Sequence, residues 1–169
     1  MVMTKEELIA SLQNEVRILL HLAGKIDRAK LDFRPTAKQR STIELLQYLV
    51  VMGPILIKAA KAGAFDPPAF QAAAAEAKAM NFDQVLSAIE KQSGIYAELL
   101  GAFSDAELRG EIDLFGTGKS SRGAFIVNLA LSGCAAYRTQ LFLYLKACGR
   151  DELNTMNLWA GMDAPMPTA

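Results

Sequence analysis

The sequence predicts an all-α protein, a four-helix bundle with a short extra helix between helices two and three. Three observations carry this. Apolar residues recur at spacings of three and four in long stretches, the period of a helix with one buried face. Several stretches open on a capping box, a hydroxyl or amide residue followed three positions later by Glu or Gln. The connections alternate between short and longer, and no internal repeat or parallel sheet is visible.

The first helix is expected over roughly residues 5–28. Thr4-Lys5-Glu6-Glu7 is its capping box, and Ile9, Leu12, Val16, Leu19, Ala23 and Ile26 form one stripe behind it. Leu31 to Pro35 breaks the pattern. Ser41-Thr42-Ile43-Glu44 is the next capping box. The helix after it carries two stripes, Ile43, Leu46, Val50, Gly53, Ile57 and Leu45, Leu49, Met52, Leu56, so it is buried on two sides. Pro54 lacks an N–H and is expected to kink or reset it, and Lys58, Lys61 and Gly63 mark its end. Asp66-Pro67-Pro68 opens an alanine-rich surface helix reaching Met80, with little to anchor it. Asn81-Phe82-Asp83-Gln84 caps the third long helix, which turns Val85, Ile89, Gln92, Tyr96, Leu99 and Leu100 inward. Ser104 to Glu107 reads as a cap on a single turn, and residues 112–121 as a loop. The fourth long helix is expected from about Arg122 to Cys148, closed by Gly149 in the left-handed conformation. Leu158 and Trp159 are expected to dock on the bundle, which makes residues 1–163 one domain, and 164–169 a fraying tail.

Composition bounds the function. A chain of 169 residues can bury a full core. Hydrophobic residues are 51 % of it and the mean hydropathy is +0.17, which favours a filled core plus an apolar surface such as a homodimer face. Eighteen basic residues balance eighteen acidic ones. Nucleic-acid binders usually carry a basic excess that displaces phosphate counterions, so no nucleic-acid partner is expected. The apolar run from Leu45 to Ile57 is 13 residues long and holds Gln47, Gly53 and Pro54. A membrane span needs about 20, so the run reads as a buried core helix and no membrane partner is expected. Cys134 and Cys148 would stand about 21 Å apart along one helix, too far for a disulfide. They read as free thiols in a cytoplasmic protein, and no secretory leader is visible.

Few residues offer chemistry. Gly116-Thr117-Gly118-Lys119-Ser120 has the outline of a phosphate loop, but Asp113 stands where the first glycine is needed, so it reads as a flexible loop entering a helix. His21, the one histidine, lies about 140° round helix one from Val16 at 100° per residue, on the flank of the apolar stripe. A metal site needs three or four convergent ligands. Cys134 has no histidine near it in sequence. Arg138 one turn on would lower its pKa modestly, and the plainer reading is a small buried residue.

Several short motifs occur in a telling order: Arg34-Pro35-Thr36 before Ser41…Glu44-Leu45-Leu46, then Tyr137-Arg138-Thr139-Gln140-Leu141…Tyr144-Leu145…Gly149, then Leu158-Trp159-Ala160-Gly161-Met162-Asp163. In that order and spacing the chain, over roughly residues 5–163, resembles the DinB/YfiT-like family of bacterial four-helix bundles. The resemblance implies a metal site. One ligand histidine stands seven residues after the serine that caps helix two, and two more form a His-x-x-x-His pair just before the arginine of helix four. Here those places are Tyr48, Gly133 and Tyr137, and the metal is not expected; nor is any other cofactor.

What remains by this reading is a pocket between helices two and four, lined by Tyr48, Gly133, Cys134 and Tyr137, with Gly133 leaving space between two phenols. The plainer reading is that two rings fill the site as core. The expected function is a metal-free bundle that binds a small molecule or associates with a second copy. The alternative is a metal-independent enzyme of thiol-transferase or hydrolase type, with Tyr48 or Tyr137 as acid and His21 or Cys134 assisting. Arg138 and Gln140 are expected to hold a tertiary contact or a helix end. No catalytic residue is assigned.

Overall fold

A computed structural model describes residues 3–116 and 118–163. Five lengths of helix carry most of it: α1 (Lys5–Ala23), α2 (Thr42–Ala62), α3 (Pro67–Lys78), α4 (Phe82–Gly101) and α7 (Ser132–Ala147). The single turn α5 (Asp105–Arg109) and the short α6 (Arg122–Phe125) lie between α4 and α7. A π-helical segment, Ile126–Leu131, joins α6 to α7, so the fourth helix of the bundle is continuous from Arg122. α1 packs on α4 and α7, and α2 packs on the same two, so α1 and α2 stand on a diagonal, joined by the long connection through residues 24–41.

The helix starts follow local chemistry. Thr4, Ser41, Asn81 and Ser104 each accept from the backbone N–H three residues on, and Glu7, Glu44, Gln84 and Glu107 each reach back to the cap. Such caps are worth about 1 kcal/mol each. Gly63 closes α2 at φ 74°, a conformation that costs any side chain. α3 covers α2 from outside and buries only Ala77 of its own residues.

Three expectations need correction. α1 stops at Ala23, five residues early, and a single 3₁₀ turn follows at Arg28–Lys30. Helix α2 is not interrupted at Pro54. The Gln92 side chain of α4 donates to the Val50 carbonyl, which lost its partner to the proline, and to the Leu49 carbonyl, both at 2.8 Å. That explains a glutamine in the core. Helix α2 runs over 21 residues from the Ser41 cap to Gly63, where the cap and stop residues place its ends. By length and hydropathy it is one that is apolar enough to cross a membrane, but half of its most apolar stretch is buried in the bundle. The loop at 112–121 holds a two-residue antiparallel ladder, Glu111–Ile112 against Ser120–Ser121, with Gly116 and Gly118 at positive φ in its turn. Thr117 of the loop lies outside the described residues, as do residues 164–169, the tail expected to fray.

The core runs through all four long helices, with Leu12, Leu22, Leu45, Leu46, Ile57, Ile89, Tyr96, Leu100 and Leu141 fully buried. Tyr96 packs its ring against Gly53, where any Cβ would overlap the phenol oxygen. This close approach explains a glycine inside α2.

Candidate functional site

Tyr48 stands on α2 and Tyr137 on α7, both half-buried. Their rings meet edge to face, centroids 5.2 Å apart at 73°. Such a pair contributes about 0.5–1.5 kcal/mol beyond its buried area. Gly133 lies one turn before Tyr137, and the space beside it is taken by Met52. A Cβ on Gly133 would stand 3.0 Å from the Met52 sulfur and 3.1 Å from its methyl. Burial first, and then the adjoining Tyr137 phenol, hold the Tyr48 hydroxyl above the usual tyrosine range, while Arg40 pulls the other way. Two neutral phenols and a glycine offer neither imidazole nor carboxylate, so this donor set does not fit a divalent metal. Among the described residues no three of His, Cys, Asp and Glu come together as ligands.

Cys134 neighbours Gly133 in sequence but faces elsewhere. Its sulfur lies 3.9 Å from the Tyr96 hydroxyl, and burial pushes the thiol up to about 11. The nearby Arg138 lowers it far less than burial raises it. The thiol is therefore almost wholly protonated near neutrality and a poor nucleophile, which corrects the expectation of modest activation.

Arg138 is the one buried charged residue among the described residues, 3 % exposed. Its Nε lies 3.0 Å from the Glu15 carboxylate of α1, yet neither atom has a hydrogen-bond partner, so this is a Coulombic contact with poor alignment. The guanidinium also donates to the Leu158 carbonyl and lies 5.5 Å from the centre of the Trp159 ring. Burial raises the Glu15 pKa, and Arg138 offsets that in part. Sequence reading did not pair Glu15 with Arg138. The one local signal is a carboxylate between Leu12 and Leu19 on the inward side of α1.

Trp159 does not dock by burial: it is 67 % exposed, and Leu153 and Asn157 are the residues that bury. Polar contacts tie this segment to α1 and to Lys25 just beyond its end. Arg17 donates to the Ala160 carbonyl at 2.8 Å, the His21 Nε2 lies 3.1 Å from the Asn157 amide nitrogen, and Lys25 meets Asp163 at 2.7 Å. Burial, then Lys25, lowers the His21 pKa. His21 is thus part of a tertiary strap and stands apart from the tyrosine pair in its contacts.

Gln140 and Tyr144 do something sequence reading left open. The Gln140 amide donates to the Tyr144 hydroxyl at 2.5 Å, and that hydroxyl donates to the Arg40 carbonyl at 2.9 Å. Helix α7 thereby holds the residue just before the α2 cap. Arg40 lays its guanidinium 4.0 Å from the centre of the Tyr48 ring. Beside them is a solvent-open cavity of about 400 Å³, lined from the 34–40 connection, α2 and α3. Tyr48 borders it, whereas Gly133, Cys134 and Tyr137 do not. The missed residues are Arg34, Lys38, Arg40 and Lys78. Three of them form a basic run legible in the sequence; Lys78 arrives from α3 only on folding.

Helix order, diagonal packing and the aromatic closure between α2 and α7 define an all-α four-helix bundle. Its fold is the DinB-like one. A DinB-like protein from Bacillus subtilis has a TM-score of 0.65 at 19 % identity, over 87 % of this chain and 95 % of that one. A protein grouped with the DinB family, from Exiguobacterium sibiricum, gives 0.68 at 20 %, over 91 % and 99 %. A mycothiol-dependent maleylpyruvate isomerase gives 0.56 at 12 % over 87 % of this chain, which spans 61 % of the isomerase. At these identities the likeness concerns the fold. The sequence matches no family model, and no curated protein matches it.

Proposed function

We propose that the chain is a metal-free DinB-like bundle acting in the cytoplasm by binding, with a small molecule at the cavity beside Tyr48. One observation carries this: Tyr48 packs on Tyr137 and Met52 fills the space at Gly133, at the places where the family resemblance puts metal ligands. The cavity of about 400 Å³ has the size of a small-molecule site. Two unbridged cysteines support the compartment. The test is elemental analysis of purified protein after incubation with zinc or nickel. Far less than one metal per chain is expected; a stoichiometric metal retained through dialysis would overturn the reading.

Association with a second copy is a companion reading, favoured by Leu129 and Leu143 standing 38 % and 59 % exposed on the fourth helix. Light scattering on the eluting protein decides it: a dimer mass supports it, and a monomer at high concentration removes it.

The enzymatic alternative draws on the isomerase neighbour. A thiol-transferase or hydrolase would need acid and nucleophile in one place. The Tyr48 phenol is held neutral and the Cys134 thiol is protonated, while His21 is engaged by Asn157. Fold likeness alone does not carry an activity across.

A further inference from the structure

The connection before α2 and the outer wall made by α3 hold four cations, and of these only Arg34 meets a carboxylate among the described residues. Arg34, Lys38, Arg40 and Lys78 all line the cavity beside Tyr48, and Glu44 is its one lining carboxylate. Glu44 is already engaged, 3.2 Å from Arg34 and accepting the Ser41 N–H at 2.8 Å. That contact with the Ser41 backbone, more than Arg34, holds its pKa below the usual range. Lys38, Arg40 and Lys78 have no carboxylate partner among the described residues. Three unneutralised cations around one cavity, in a chain of zero net charge, repel one another unless an anion joins them.

Arg40 is placed for that anion. Its backbone is held by the Gln140–Tyr144 chain, its guanidinium lies over the Tyr48 ring, and its N–H groups donate to no protein acceptor among the described residues. A guanidinium with both edges free matches a carboxylate or phosphate in two parallel hydrogen bonds. Phe70 of α3 adds an aromatic surface to the same cavity.

We propose that this cavity binds a small organic anion: a carboxylate or phosphate held by Arg40, Lys38 and Lys78, on a planar apolar body that lies against Tyr48 and Phe70. This rests on the small-molecule reading above and adds the ligand class. The cavity size and the zero net charge favour a small molecule over a polynucleotide.

The test is calorimetric titration of the full chain with phenyl phosphate, benzoate, inorganic phosphate and benzyl alcohol. Phenyl phosphate or benzoate is expected to bind, inorganic phosphate and benzyl alcohol more weakly. Phenyl phosphate alone would assign a phosphoryl ligand; both would assign anions at large. Arg40→Ala is expected to weaken binding about tenfold or more, the scale of a charged hydrogen bond. Lys38→Ala is the second variant in case Arg40→Ala misfolds, and Lys91→Ala on the exposed side of α4 should change nothing. If benzyl alcohol binds as well as the anions and Arg40→Ala is silent, the anion inference fails while the small-molecule reading stands. If no probe binds at millimolar concentration, both fail. Salt-sensitive oligonucleotide binding lost in Arg40→Ala, without competition by phenyl phosphate, would overturn the proposal in favour of nucleic acid.

Discussion

Arg138 and Arg40 each lie over an aromatic ring, Trp159 and Tyr48, yet their surroundings give them opposite roles. Arg138 is inside the molecule, faces Glu15 and donates to a carbonyl of the C-terminal segment. Arg40 stands exposed, with its backbone fixed and its guanidinium edge unspent. In the first the ring belongs to a strap that closes the bundle; in the second it is the platform of a cavity. The lesson is that residue type and ring contact do not separate a structural arginine from a binding one. The inventory of acceptors around the guanidinium does.

Unfolding measurements can break this contrast. The largest effect is expected for Arg138→Ala, which leaves the Glu15 carboxylate buried without its cation. Loss of one partner of a buried pair costs about 3–5 kcal/mol, read as a lowered urea midpoint. Arg40→Ala in the same assay should stay within about 0.5 kcal/mol, as for a surface change. A comparable loss at both positions would erase the distinction.

Glu15→Gln sharpens it through pH. The folded pKa of Glu15 is raised, mainly by burial. Between the ordinary value and the raised one the native state holds more protons than the unfolded chain, so stability falls as pH rises through that window. The carboxyl is therefore most favourable below its ordinary pKa, and its contribution is lost as pH climbs past the raised one. The parent should lose stability relative to Glu15→Gln over that rise, seen in denaturant midpoints at stepped pH. A parent that gains stability relative to Glu15→Gln as pH rises would mean that Arg138 outweighs desolvation.

A small effect is also expected at the Trp159 ring. Trp159→Leu removes the cation–π contact of a largely exposed indole, worth about 0.5–1 kcal/mol at such a site. A larger loss would show that the ring, more than Glu15, secures Arg138.

Helix starts were the most legible part of the fold. Thr4, Ser41, Asn81 and Ser104 announce themselves because a cap and its reciprocal acid or amide lie within four residues. The fourth helix was legible at its ends but not inside. The π-helical turns at Ile126–Leu131 carry no sequence mark, and the Ser132 hydroxyl settles on the Val127 carbonyl at 2.9 Å only once the bundle packs there. Of the candidate site, the sequence reading picked out Tyr48 and Tyr137, whose rings do meet. It did not find that Met52 occupies the space at Gly133, or that the open cavity lies on the other side of Tyr48. Both depend on side chains brought together from separate helices.

By itself, then, the sequence determined that this is an all-α four-helix bundle, where most of its helices begin, and that no second histidine is present for a metal. Those are matters of local hydrogen bonding, apolar period and composition, which a linear chain displays directly. Tertiary structure alone decided that Gln92 repairs the carbonyl freed by Pro54, that Glu15 meets Arg138 across 123 positions, and that Lys78 joins Arg40 around one cavity. Each is a balance of burial against charge or hydrogen bonding between distant segments. No stretch of sequence holds both sides of such a balance.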